Sequence, residues 1–139
     1  MKSPKELALE KKLLDSLHPS TPPWTIASLL IDDEEVQMMQ DYANSVSIIR
    51  LGFNDHGPVH MRQVAKNAVK MMHLLQDAGI PGSLEHDKVG TFEDSLSAVI
   101  LASFLHDLGM AIGRQDHELL STTLAMPIIS RILESVYPD

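Results

Sequence analysis

The residues best suited to chemistry in this sequence are the adjacent His106 and Asp107. They directly follow residues 96–105, which are apolar at all but two positions. A helix that is apolar on every side is typical of a buried, central helix. Two ionisable groups at the inner end of such a helix are costly unless they are paired or bound to a cation. The helix C-terminus also disfavours the negative charge of Asp107, so the pair indicates a functional site.

A second histidine, His60, lies on a predicted helix over residues 58–78. At 100° per residue it shares a stripe with Val64, Asn67, Met71 and Leu74, and His106 shares one with Val99, Ala102 and Ser103. Two helices packed along these sides would bring His60, His106 and Asp107 together. Two imidazoles and a carboxylate suit a divalent ion such as Mn, Fe, Co, Ni, Mg or Zn. The alternative for each histidine, taken singly, is a core residue with a hydrogen-bond partner.

The remaining pattern predicts an all-α fold, a compact bundle of about five to six helices. Cap signals and helical periodicity place helices over residues 4–17, 32–50 and 58–78, one starting near Phe92, and a last one starting near Asp116 and bent around Pro127. Residues 1–24 are predicted to form a helical arm with a Pro-rich turn, and residues 25–139 the main domain. The acidic run over residues 32–35 is interpreted as the first turn of a helix rather than as a metal-binding cluster.

Composition narrows the possible functions. The net charge is −8, which argues against an extended nucleic-acid surface because such surfaces need basic clusters. The chain has no cysteine, so disulfides and thiolate metal sites are excluded. No apolar run is long enough to span a bilayer, and the N-terminus carries acidic residues unlike a secretory signal. We therefore expect a cytoplasmic protein without a membrane partner, and the sequence leaves a homo-oligomer open.

Three segments resemble the motifs of HD-domain proteins. Residues 60–64, HMRQV, resemble the H-x-x-x-V segment of that family, and FLHDLG at residues 104–109 resembles its defining signature. Residues 116–121, DHELLS, are similar to its later H-x-x-x-(G/S) segment. The order and separations also agree, so the resemblance covers roughly residues 53 to 135.

The resemblance implies an all-α, metal-dependent phosphohydrolase that acts on a nucleotide or another small phosphate ester. His60, His106 and Asp107 would hold the ion, whose bound water would attack phosphorus. Asp107 would also orient that water. His117 would bind phosphate or a second ion, or would be an exposed residue of the helix-capping region.

Four further residues are candidates around this site. Arg62 and Arg114 would contact the substrate phosphate, although a solvated arginine is the alternative for Arg62. Asp55 and His56 would support the ligands from a second shell, or would simply form a turn.

One departure from the family pattern leaves a second function open. The family's metal site is completed by an aspartate on a later helix, whereas after His117 this chain offers only Asp139. We expect a C-terminally truncated domain; the alternatives are a site completed in another way and a degenerate site. The competing function is a non-catalytic HD-fold module that binds a metal or ligand, and a purely structural helical bundle is a third.

Overall fold

The chain is all-helical, as the sequence predicts. A computed structural model describes residues 1–50, 52 and 56–138; 76% of the chain is helical, and the described residues contain no strand. The α-helices are α1 (Pro4–Asp15), α2 (Pro22–Asp32), α3 (Glu34–Ser45), α4 (Pro58–Asp77), α5 (Ser83–His86), α6 (Phe92–Leu105) and α7 (His117–Val136). A π-helical turn covers Val46–Arg50, and a 3-10 turn covers Leu108–Ala111.

The predicted N-terminal arm is part of the main core. α1 begins with a capping box in which Ser3 and Glu6 bond to each other's backbone N–H groups. It packs against α4 and contributes the fully buried Leu13 and, just beyond its end, Leu17 to the shared core. The expected separation between residues 1–24 and the rest is therefore not present.

α2 occupies a region that the sequence analysis interpreted as a turn followed by a short apolar segment. Prolines 22 and 23 form its first turn, where a missing N–H costs nothing because those amides have no helical partner. Its buried face, which includes Ile26 and Leu30, packs against α6. The prolines here start a helix instead of breaking one.

α3 is shorter than predicted. Asp33 caps it by accepting a hydrogen bond from the amide of Val36, which confirms the acidic run as a helix start. The helix ends at Ser45 and continues as the π-helical turn. Tyr42 on α3 and Ile49 in the π-helical turn are both exposed.

α4 has the predicted length but a different buried face. Met61, Ala65 and Val69 are fully buried, while Met71 and Leu74 of the predicted inward stripe are exposed. The buried face is thus rotated by about one residue from the prediction. His60 consequently lies at the rim of the core and remains partly open to solvent.

α6 is the central helix. A capping box between Thr91 and Asp94 starts it. It packs against α2 and α4 and buries five large apolar side chains: Leu96, Ile100, Leu101, Phe104 and Leu105. The predicted buried helix ending at the His-Asp pair is therefore confirmed. One prediction about its faces is wrong, because Ala102 is exposed rather than covered by α4.

α7 runs through Pro127 without interruption and packs against α2, α6 and the 3-10 turn. Within the described chain it is the one helix that is long and apolar enough to cross a membrane by length and composition. A single such helix is weak evidence, because core helices of soluble proteins meet the same test. Arg131 on α7 forms ion pairs with Asp33 and Glu35.

Candidate metal site

Four histidines surround the carboxylate of Asp107, which is only 4% exposed. Its Oδ2 lies 2.9 Å from Nδ1 of His56, and 3.3 Å from Nε2 of both His60 and His106. Its Oδ1 lies 3.5 Å from Nε2 of His117. We call these five residues the Asp107 cluster.

The backbone fixes the orientation of two of these imidazoles. Nδ1 of His106 is 3.0 Å from the carbonyl oxygen of Ser103, and Nδ1 of His117 is 2.9 Å from that of Arg114. A carbonyl oxygen only accepts, so each Nδ1 carries a proton and donates it. In the neutral imidazole the lone pair is then on Nε2, which faces Asp107. Pinning one ring nitrogen to a backbone carbonyl in this way is the usual arrangement of a metal-ligating histidine.

The ends of three helices meet at this cluster. His60 lies in the first turn of α4, His117 is the first residue of α7, and His106 directly follows the last residue of α6. Helix N-termini carry partial positive charge, so α4 and α7 favour a carboxylate or a phosphate here.

A glycine and a serine bring α7 close to the turn that carries Asp107. A Cβ on Gly109 would overlap the carbonyl oxygen of His117 and lie 2.7 Å from the amide nitrogen of Ser121. The amide of Gly109 donates to Oγ of Ser121, and that hydroxyl donates in turn to the carbonyl of His117. The H-x-x-x-S spacing therefore has a physical role, because it locks His117 against the turn after α6. Gly109 allows this close packing because it has no side chain.

The charges within the cluster are strongly coupled. Burial acts to raise the pKa of Asp107, but hydrogen bonds from the protonated form of His106 and from His56 hold that pKa well below its usual range. The hydrogen bond to Asp107 raises the pKa of His106, and burial opposes this shift. The carboxylate is thus ionised at neutral pH and needs positive charge nearby, which either a proton on imidazole or a bound cation can supply.

The donor set fits a divalent metal ion. His56, His60 and Asp107 each offer a ligand atom, and these atoms lie within 4.8 Å of one another. Imidazole nitrogens combined with a carboxylate oxygen suit the transition metals and zinc. Nε2 of His106 and Nε2 of His117 face the same carboxylate, so more than three groups are available.

The other predicted site residues have different outcomes. His56, expected in the second shell, contacts Asp107 directly and is a candidate ligand. Asp55, its predicted second-shell neighbour, lies outside the described residues. Arg62 is 1% exposed and donates hydrogen bonds to protein groups, so the prediction of a substrate contact is wrong for this residue. Arg114 is exposed just before α7, and its predicted role in phosphate binding stays a prediction.

A groove between α6 and α7 opens beside the cluster. It has a volume of about 460 Å³, and His106, Asp107 and His117 form one end of it. The rest of the lining is mainly apolar and consists of Leu101, Ala102, Leu105, Ala125 and Ile129. The polar groups along it are those of Glu118, Ser121 and Thr122 on α7. An apolar groove that ends at a few convergent polar groups is the usual form of a small-molecule site.

Comparison with known proteins yields one similar sequence. The chain is 39% identical over 117 residues to the uncharacterized protein MJ1020 of Methanocaldococcus jannaschii. The matched part is 84% of this chain and 45% of that protein, so the chain spans about half the length of the curated relative. No protein-family model and no solved structure matches the chain.

Proposed function

We propose that this chain is a metal-dependent phosphohydrolase domain of the HD type, acting on a nucleotide or another small phosphate ester. The Asp107 cluster is the observation that carries the proposal: a buried carboxylate within 3.5 Å of four imidazole nitrogens. The motifs that resemble the HD family supply most of these residues. A cytoplasmic location is part of the same proposal.

The residues divide into holding and orienting roles. His60, His106 and Asp107 hold the ion, with His56 as a further ligand from the loop before α4. When bound, a divalent ion lowers the pKa of water and polarises a phosphoryl oxygen. His117 faces the second oxygen of Asp107 and receives either a phosphate oxygen or a second ion. The hydrogen bond from Nδ1 of His117 to the carbonyl oxygen of Arg114 orients the ring so that Nε2 faces the site.

The groove between α6 and α7 accommodates the organic part of the substrate. Its mainly apolar lining suits the uncharged part of the substrate, while the positive ends of α4 and α7 favour the phosphate at the cluster. Arg114, which is exposed just before α7, would be the cation that contacts that phosphate. The overall charge of −8 makes such a local cation important for an anionic substrate.

The second candidate function is a non-catalytic HD-fold module that binds a metal or ligand. The observation in its favour is that residues 118–138 contain no aspartate to serve as the further ligand of the family pattern, which lies on a helix well downstream of the His-Asp pair. This module would bind metal through the same histidines without turning over a phosphate ester.

Metal analysis combined with a phosphatase assay tests the proposal. Purified protein should contain or take up Mn²⁺, Co²⁺ or Ni²⁺, and should hydrolyse p-nitrophenyl phosphate or bis(p-nitrophenyl) phosphate only when metal is present. His106→Ala should lower turnover by more than about 100-fold. A loss of about 10- to 100-fold is typical when a residue that only hydrogen-bonds to a metal ligand is replaced, so losing a ligand itself should cost more. His86→Ala is the matched control, because His86 is exposed and contacts Asp87 away from the cluster.

Three results are distinguishable. Metal uptake and turnover that both depend on His106 but not on His86 support the phosphohydrolase. Metal uptake that depends on His106, without turnover of either ester, supports the non-catalytic module. Metal content and turnover unchanged by His106→Ala would refute both.

A further inference from the structure

We propose that Gln40 is a positioning residue, held by Arg62, that sets the distance between the two segments supplying the metal ligands. These segments are the start of α4, which carries His60, and the turn after α6, which carries His106 and Asp107. The inference rests on the proposed metal binding. Neither Gln40 nor Arg62 belongs to the Asp107 cluster itself.

The first connection joins α4 to α3. Arg62 lies two residues after His60, and its Nη1 donates to Oε1 of Gln40 at 2.8 Å. The same nitrogen donates to the carbonyl oxygen of Pro58, in the turn that contains His60. Both side chains are buried, Arg62 at 1% and Gln40 at 0% exposure. The position of Gln40 is therefore tied to the first turn of α4.

The second connection joins α3 to the end of α6. Nε2 of Gln40 donates to the carbonyl oxygen of Phe104 at 2.9 Å. Phe104 stands two residues before His106, among the last carbonyl groups of the helix, which lack a partner further along the chain. The side chain of Gln40 on α3 thus provides a hydrogen-bond donor for a carbonyl group at the end of α6, just before the turn that carries the metal ligands.

Arg62 also determines which way the Gln40 amide points. A guanidinium only donates, so the amide must turn its oxygen towards Arg62. The amide nitrogen is then directed at Phe104, whose ring also lies 5.5 Å from the centre of the guanidinium. The amide of Gln40 therefore connects α4, through its oxygen, to α6, through its nitrogen.

The charge of Arg62 is compensated from α1. Its Nε donates to Oε1 of Glu10 at 2.7 Å, and Nη2 donates to Oε1 of Gln37 at 2.9 Å. Lys2 approaches the same Glu10 oxygen at 3.0 Å. Buried ion pairs persist when further hydrogen bonds satisfy them, as here. We call Glu10, Gln37, Gln40 and Arg62 the Arg62 network.

Gln40→Glu separates the two connections. The substitution keeps the side-chain shape and the acceptor for Arg62, but it replaces the donor that faces Phe104 with an oxygen. We expect the dissociation constant for Co²⁺ to rise by about 10- to 100-fold, the range found for partners that orient metal ligands. The visible absorption spectrum of bound Co²⁺ should change as well, because it reports ligand geometry.

Gln37→Glu is the matched control. It makes the same chemical change at another glutamine bonded to Arg62, but Gln37 contacts no carbonyl of α6: its amide nitrogen donates to Glu6 and Asp41. Its Co²⁺ affinity and spectrum should equal those of the wild type. Circular dichroism will check that each variant is folded. If the negative charge of Gln40→Glu prevents folding, Gln40→Met also removes the donor to Phe104 without adding a charge.

The outcomes separate the two proposals. Wild-type protein that binds no Co²⁺ overturns the proposed metal function and this inference with it. Wild-type protein that binds Co²⁺, together with folded Gln40 variants of unchanged affinity and spectrum, overturns the positioning role alone. Weakened affinity in both the Gln40 and the Gln37 variants also overturns it, because a general loss of stability then explains the effect.

Discussion

The Arg62 network and the Asp107 cluster are both centred on a buried charge, but they satisfy that charge differently. Arg62 donates to four protein acceptors, and a carboxylate lies among them. Asp107 is approached by four imidazoles. Two of these, His106 and His117, use one ring N–H on the backbone. Their other nitrogen is favourable beside a carboxylate only when a proton or cation is added.

The partners of a buried charge distinguish a structural charge from a functional one. A buried charge with complete protein partners holds helices together, as Arg62 does for α1, α3 and α4. A buried negative charge whose partners are complete only when a cation is added can bind that cation. Asp107 is in the second state at His106 and His117, and we therefore place the proposed metal binding there.

Removing Arg62 should produce the largest change in stability. Arg62→Met leaves Glu10 buried with only Lys2 nearby, and losing one partner of a buried ion pair costs about 3–5 kcal/mol. Urea denaturation should show this loss in the free energy of unfolding. Lys70→Met, on the exposed side of the same helix, should change it by less than about 0.5 kcal/mol. An Arg62 variant as stable as the Lys70 variant would show that the network is not structural.

A methyl group on Gly109 should have an intermediate effect. Gly109→Ala forces apart the 3-10 turn and the start of α7, and overpacking of this kind costs about 1–3 kcal/mol. His117 should move away from Asp107 as a result. Gly113→Ala is the control, because a Cβ there meets no atom within 4 Å. Equal urea midpoints for the two variants would contradict the close approach seen at Gly109.

The smallest expected effect concerns Asp33. Burial acts to raise its pKa, but hydrogen bonds from Arg131 and the Val36 amide lower it overall. A carboxyl group with a lowered pKa in the folded state stabilises the protein above the unfolded pKa of about 4, and this contribution is lost as pH falls through the folded value. Asp33→Asn should therefore reduce the loss of stability between pH 7 and pH 3 by less than about 1 kcal/mol.

The neighbouring Asp32 supplies the control for this titration. Asp32 is exposed, and Arg131 bonds Asp33 and Glu35 instead. Asp32→Asn should leave the difference between the urea midpoints at pH 7 and pH 3 as in the wild type. An equal change in both variants would mean that the Arg131 ion pair does not set the acid sensitivity.

The sequence predicted most of the helices because their ends carry local signals. Pro58 and the Thr91–Asp94 capping box start α4 and α6 where expected. α2 was missed because its prolines were interpreted only as turn formers. The end of α3 was missed because a π-helical turn depends on packing around it and has no clear sequence signature.

Part of the candidate site was also accessible from sequence. The structure brings His60, His106 and Asp107 together, as the motif spacing indicated. His56 was predicted to support the ligands from a second shell, but it contacts Asp107 directly. The sequence did not indicate this because His56 lies in a loop and shares no helical stripe with a ligand. Its position four residues before His60 was the available signal. Arg62 was misjudged because a rotation of α4 by one residue turns a surface position into a buried one.

Both ends of the groove between α6 and α7 are fastened. Near the cluster, Ser121 bonds to Gly109. At the far end, the Tyr137 hydroxyl donates to Asp94 and contacts Ser97. A second, mainly apolar hollow of about 380 Å³ extends the groove to Tyr137 and shares its wall at Leu101, Ala102 and Ile129. These contacts hold α6 and α7 together at both ends of the groove, so we expect a long ligand to enter through its open side rather than by separating the helices.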